Sequence, residues 1–336
     1  ASHTTIAEAF KGKGFRTAGY CSNGYISDKW NYTQGFQSFT NFIREGKANN
    51  AKAVTKAAIR WIDKYLEKKK DQPFYLYLGT SDPHVTYRRH EEFIGDYDDV
   101  NYSGMASKYL SGAELGKLKG RKRPPSARQR KRIEALYENE IAFNDKHFGK
   151  LVDHLKAKGI WDETVVIITA DHGDEFWEHG SCGHGHNLHQ ELVNVPLIIR
   201  YPGVIPAGKV RVGADGVDLL PTLMALLGQD APKDVQGANL LPVIGAKGTY
   251  PMAVMASNGS DSFTLQVGPA KVIMRSEKSI KAYDVKADPA ELKDVFGDKL
   301  VTTLAAFDPL ALFLSRKRAW KKAKWGAPNN LTRSFK

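Results

Sequence analysis

VVIITADHGDEFWEHGSCGHGH, residues 165–186, decides how this chain is read. Its first four residues are apolar without alternation, as in a strand covered on both faces. Covered strands belong to mostly parallel sheets flanked by helices. The strand runs into Asp171-His172-Gly173. Five of the chain's ten histidines (His172, His179, His184, His186, His189) follow within residues 172–189. In open α/β sheets, ligands collect beyond the carboxyl ends of strands, which is where this polar cluster falls.

The flanking sequence agrees. Upstream, residues 127–158 predict a long helix with Ile133, Tyr137, Ile141, Phe148, Val152 and Leu155 on one face, stopped by Gly159. Downstream, PLIIRY (196–201) predicts another covered strand. DLLPTLMALLG (218–228) predicts a short helix, with Pro221 in its first turn and Gly228 beyond its end. Toward the N-terminus, Thr5-x-x-Glu8 fits a capping box. A strand is expected over 17–22, a helix over 50–69 and a strand over 73–79. Residues 90–126 are polar, basic and without period, and are expected to form an irregular surface excursion. After residue 245 short strand candidates (SFTLQVG, KVIMRSE, IKAYDV) follow one another, predicting a small antiparallel sheet with a helical piece near its end. The expected organisation is an α/β core over 1–245, with a mostly parallel sheet sandwiched by helices. A C-terminal α+β subdomain with a basic tail occupies 246–336.

The 336 residues are 42% hydrophobic and 26% charged, a globular and not a disordered composition. No apolar run approaches the roughly 18 residues of a membrane span. The first residues lack the basic start and apolar run of a signal peptide, so any targeting segment is expected outside this chain. Cys21 and Cys182 allow one disulfide and no framework. Cys182 reads as a small loop residue, with a metal-ligating or reactive thiol as the alternative. Much of the +12 net charge lies in residues 117–132 and 315–325. Such runs are either solvated or bind anionic lipid, nucleic acid or polyanionic sugars. Both lack the aromatic interleaving of a nucleic-acid module, so no nucleic-acid partner is expected.

Two polar clusters follow strands. TSDPH, ending at His84, follows the strand at 73–79, and Asp171-His172-Gly173 follows the strand at 164–170; both are expected on one sheet edge. Asp171 and His172 are a carboxylate–imidazole pair suited to a metal, with Gly173 permitting a tight turn. At least two further ligands are then required. The alternative is a capping aspartate beside an exposed histidine. His184 and His186, on a glycine-rich loop, suit a tetrahedral anion and proton transfer, or are incidental loop histidines.

The helix at 127–158, the Thr-Val-Val strand, the Asp-His-Gly turn, HGHNLHQELVNVPLIIRYPG and DLLPTLMALLG, in this order and spacing, resemble the sulfatases of the alkaline-phosphatase superfamily. YLGTSDPHVTY resembles the family's segment with an active-site histidine. TIAEAFKGKGFRTAGYCSNGYIS resembles its early helix–strand unit, and IKAYDVKADPAELKDVF its closing segment. The resemblance implies a sulfuric-ester hydrolase with a divalent metal, usually calcium, and a formylglycine nucleophile within Cys/Ser-x-Pro-x-Arg. It implies Asp171 and His172 as metal ligands and His84 as the residue contacting the sulfate and assisting the leaving group. His184 and His186 fall where many members have a sulfate-binding lysine, which implies substrate binding by His184 and catalysis by His186. The two-Asp metal motif and the nucleophile motif precede the segment matched here and are absent from it. Activity is therefore expected only with an N-terminal portion of the same protein; a degenerate binder or an unrecognised nucleophile are the alternatives. A phosphodiesterase or phosphoryl transferase of the superfamily, with zinc or manganese, is the competing activity. A binder of anionic sugars or lipids through residues 117–132 and the tail is the competing class. By resemblance the setting is periplasmic, secreted or lysosome-like.

Overall fold

The structure, a computed structural model, describes residues 3–68, 72–119, 121, 123–210, 212–244, 253–258, 262–276 and 279–297. The basic tail at 315–325 and the expected helical piece near the C-terminus lie outside the described residues. The chain divides into two compact units, Ala1–Val165 with Asp230–Gln236, and Val166–Gln229 with Gly237–Lys336.

In the first unit, α1 (Ile6–Gly12) opens on Thr5, whose hydroxyl accepts the Glu8 N–H while Glu8 reaches back to the Thr5 N–H. The capping box read from the sequence is formed, satisfying two otherwise orphaned amides. Next come β1 (Arg16–Cys21), β2 (Ser38–Asn41), α2 (Ala51–Lys68) and β3 (Phe74–Gly79). The three strands form a parallel sheet in the order β2-β1-β3, with Ala18 opposite Ser38 on one side and Leu76 on the other. The remaining elements are β4 (Tyr87–Arg88), α3 (Ile94–Tyr97), β5 (Tyr109–Leu110), α4 (Gly112–Leu118) and the 31-residue α5 (Ala127–Ala157). Ile62 of α2 and Leu151 and Leu155 of α5 are buried together, with Leu76 and Leu78 of β3 packed against them.

Two expectations change here. Ile141 does not join the covered face of α5: it is 45% exposed, because the buried stripe runs through Asn139 and Glu140. The excursion at 90–126 is not wholly irregular. It contains α3, then β5, which pairs with β4 just ahead of the excursion, and α4, which has its own capping box between Ser111 and Glu114. Arg132 organises it. Fully buried, its guanidinium donates to the carbonyls of Ala106 and Ser107 and pairs with Asp98 at 3.3 Å. A planar fork with five donors can tie several turns of loop to one helix.

The second unit begins with β6 (Val166–Thr169), followed by β7 (Glu175–Phe176), β8 (Cys182–Gly183), α6 (Gln190–Val193), β9 (Leu197–Arg200) and α7 (Leu219–Leu226). β6 and β9 pair antiparallel, Val166 opposite Arg200. Both sequences predict strands covered on two faces, yet their residues are mostly half-buried and Ile198 is 55% exposed. A parallel pair needs a long crossover, usually a helix. The segment between β6 and β9 holds only the four-residue α6 and the β7–β8 hairpin. The expected antiparallel meander is present as β10 (Ala253–Asn258), β11 (Ser262–Val267), β12 (Ala270–Ser276) and β13 (Ser279–Asp284), in that spatial order. Phe263, Leu265, Val272, Met274 and Ala282 line its buried face. The whole is an α/β fold, with a parallel sheet, covering helices and an antiparallel C-terminal sheet.

Cys21 and Cys182 are buried thiols that form no disulfide. No helix among the described residues is long and apolar enough to cross a membrane.

Candidate functional site

The histidine-rich strip hangs from the end of β6. Asp171 lies just beyond it with its carboxylate 75% exposed. Its Oδ1 accepts the His172 N–H at 3.1 Å and lies 3.9 Å from His172 Nε2. Gly173 follows, and only glycine fits: a Cβ there would stand 2.0 Å from the Glu191 carbonyl oxygen. This close approach lets the Gly173 N–H donate to the Leu192 carbonyl, fastening the turn to α6.

Two acids come next, and each takes a histidine from ten or so residues further on. Asp174, 3% exposed, has Oδ1 at 2.7 Å from His184 Nδ1. Glu175, fully buried, has Oε2 at 2.6 Å from His186 Nε2 and 2.5 Å from Asn187 Nδ2. Its Oε1 accepts the N–H groups of His179 and Ser181. Burial alone would push the Glu175 carboxyl up; the His186 ring and the two amide donors outweigh it and hold it down at about 2. A carboxylate receiving several donors keeps its charge even when buried.

These contacts separate the two loop histidines. His172 Nδ1 lies 2.9 Å from the Gly173 carbonyl, to which it must donate, so the neutral ring carries its lone pair on Nε2. His184, engaged through Nδ1 by Asp174, is held the same way. The two rings lie 4.1 Å apart, and donor atoms of His172, Asp174 and His184 are all within 4.8 Å of one another. His186 is turned onto Glu175, and its Nδ1 is buried without a hydrogen-bond partner. The structure thus gathers His172 and His184 with a residue the sequence did not single out, Asp174, leaves Asp171 exposed beside His172, and sets His186 onto Glu175. The only hint was their position, two acids directly behind Gly173.

A third pairing completes the strip. His179 and His189 stack at 3.5 Å, and His189 Nδ1 meets Glu291 Oε2 at 2.6 Å. Glu291 also pairs with the buried Lys271 at 2.6 Å. Burial would raise the Glu291 carboxyl, but His189 and Lys271 overcome it and lower it. With an ammonium already on its second oxygen, this cluster ties the meander to α6.

In the first unit, His84 lies exposed on the turn after β3, with Nδ1 2.7 Å from the Val85 carbonyl. The turn is fixed by its neighbours. Asn144 donates to Thr80 Oγ1 and to the Asp82 carbonyl, and the Ala51 N–H donates to Asp82 Oδ2 at 2.6 Å. Behind it lie Asp82, Glu140 and His90, with donor atoms within 4.8 Å of one another. Glu140 accepts the Arg88 N–H and sits 2.9 Å from His90 Nε2. Burial, then the nearby Glu140, push the Asp82 carboxyl up to about 7. Asp82 and Glu140 were not read from the sequence, because spacing shows no relation between residues 58 positions apart.

The donor set at the end of β6 fits a divalent cation. It offers carboxylate and imidazole atoms, with two rings oriented through their other nitrogen by a carbonyl and a carboxylate, as metal-binding histidines usually are.

The family's sequence model, Sulfatase, matches residues 1–229, and the chain belongs to the sulfatase family. An N-acetylglucosamine-6-O-sulfatase of Bacteroides thetaiotaomicron is 30% identical over 171 residues, covering 46% of this chain and 30% of the relative. Arylsulfatase K of Bos taurus is 22% identical over 346 residues, covering 88% of this chain and 64% of the relative. The chain thus spans less than two thirds of the length of these curated relatives. A protein solved in complex with its substrate D-glucosamine-2-N,6-O-disulfate shares the fold, with a TM-score of 0.66 and 21% identity over 95% of this chain and 83% of the other. The phosphonate monoester hydrolase of Agrobacterium radiobacter shares it too, with a TM-score of 0.65 and 17% identity over 93% and 80%. The superfamily generally uses a divalent metal.

Proposed function

We propose that the protein containing this chain hydrolyses sulfate esters. In this reading Asp171 and His172 hold a divalent cation, with Asp174 and His184 beside them. His184 also binds the sulfate, and His84 contacts the sulfate and protonates the departing alcohol. His186, held by Glu175, takes part in catalysis. The cation, when bound, supplies Lewis-acid stabilisation of negative oxygen. The observation that carries the reading is the cluster of His172, Asp174 and His184 at the carboxyl end of β6, in a chain whose family is established.

Calcium is the ion the family resemblance implies, and a formylglycine the nucleophile; no residue of this chain is assigned that role. A second reading, phosphoryl-ester hydrolysis with zinc or manganese, draws on the two imidazoles, because nitrogen ligands suit those metals better than calcium.

The test uses the full-length protein. Asp171→Ala should abolish both metal retention and turnover, and wild-type turnover in that variant overturns the metal assignment. Comparing 4-nitrophenyl sulfate with 4-nitrophenyl phosphate decides between the two activities. His84→Ala should slow an alkyl sulfate by about 10²- to 10⁴-fold while an activated aryl sulfate loses much less. Equal losses on both would remove the leaving-group role.

A further inference from the structure

Residues 117–132 carry nine lysines and arginines, and no acid lies between Glu114 and Glu134. The structure sorts these cations by occupation. Arg132 is fully buried and serves the fold. Arg128 pairs with Asp98 at 3.0 Å and lies over the Tyr102 ring. Arg121, Arg123 and Lys131 are exposed and Arg130 is half-buried; none of the four makes an ion pair among the described residues.

Their position is unfavourable for the fold itself. Arg130 and Lys131 stand in the first turns of α5, whose opening turn contains no acid. Cations at that end of a helix cost about 0.3–1 kcal/mol each, and mutual repulsion adds to it. Ser126 and Gln129 cap the helix without bringing a negative charge. A surface that concentrates uncompensated cations favours an external polyanion. Three of the four are arginines, whose planar fork matches the oxygens of a sulfate or phosphate group.

The rest of the stretch selects among polyanions. Leu115, Leu118 and Pro125 are buried, leaving no large apolar side chain to enter a bilayer. Residues 115–132 contain no aromatic side chain, and the nearby Tyr102 ring is already covered by Arg128, so this stretch itself offers bases nothing to stack on. A sulfated polysaccharide needs only charge and hydrogen-bond donors, and this surface has both.

We propose that Arg121, Arg123, Arg130 and Lys131 form a docking surface for a sulfated polysaccharide. The inference rests on the sulfate-ester reading and deepens it: the ester cleaved belongs to a polymer held by this surface.

The experiment measures binding and turnover separately on the full-length protein. Heparin serves as the polymer and 4-nitrophenyl sulfate as the small ester. Reversing all four charges (Arg121→Glu, Arg123→Glu, Arg130→Glu, Lys131→Glu) should weaken heparin binding at least about 30-fold at 0.1 M salt. It should also reduce the slope of log K against log salt by about 3. Small-ester kcat/KM should stay within twofold. A companion with Arg121→Lys, Arg123→Lys and Arg130→Lys should retain most of the binding, which controls for folding. Three results overturn the proposal: heparin binding equal in wild type and the reversed variant, no heparin binding by wild type at 0.1 M salt, or equal or tighter binding of single-stranded RNA or phosphatidylserine vesicles. Absence of small-ester turnover in wild type would instead strike the sulfate-ester reading and leave the binding comparison interpretable.

Discussion

Asp82 and Glu175 are both shielded carboxylates close behind a strand, and they are held in opposite states. Asp82 faces Glu140, and its carboxyl is pushed up to about 7. Glu175 faces His186, Asn187 and two backbone amides, and is held at about 2. Burial acts in the same direction on both. What differs is the partner: a second acid on one side, four donors on the other. Shielding amplifies the partner's sign and does not by itself choose the charge state.

Breaking the Glu175 side should have the largest effect. Glu175→Gln removes the buried carboxylate shared by His186, Asn187 and two backbone amides, and should cost about 3–5 kcal/mol in urea unfolding. Unchanged stability would mean that the four contacts are incidental. The acid limb of wild-type stability should also shrink in this variant. A carboxyl whose folded value lies below its unfolded one stabilises above the unfolded value, so this contribution is present above about pH 4.5 and disappears toward about pH 2.

Asp82 should respond with the opposite sign. Its folded value lies above its unfolded one, so stability is fully present below about pH 3.8 and is lost as pH rises through about 7. Asp82→Asn keeps an oxygen for the Ala51 N–H and gives Glu140 a donor. It should stabilise the protein at pH 8 by about 2 kcal/mol and not at pH 4. A variant less stable than wild type at pH 8 would show that the two acids do not oppose each other. The smallest effect is expected from His186→Asn, about 1–2 kcal/mol, because Glu175 keeps its two amides and Asn187. A loss as large as that of Glu175→Gln would transfer the central role from the carboxylate to the ring.

The sequence was most informative where structure is local. The helix expected over 127–158 spans Ala127–Ala157, and the Thr5 capping box is formed as its four-residue spacing implies. The Asp-His-Gly turn likewise announced a polar site at a strand end. Less legible were relations between distant residues. That Glu140 lies beside Asp82, or Glu291 beside His189, depends on chain crossings that leave no period in the sequence. Arg132 shows the same limit: it sits in a basic run that reads as solvated, yet it is buried by loop carbonyls that no pattern of charges reveals. β6 and β9 were legible as strands; their antiparallel pairing was not, because an apolar run does not state its direction.

Glu291 has a practical consequence for anyone shortening this polypeptide. A version ending before it would still carry every histidine of the strip, but Lys271 and His189 would lose their common carboxylate, and the stacked imidazoles their anchor. The safe cutting point therefore lies downstream of that single glutamate, wherever the chemistry itself is performed.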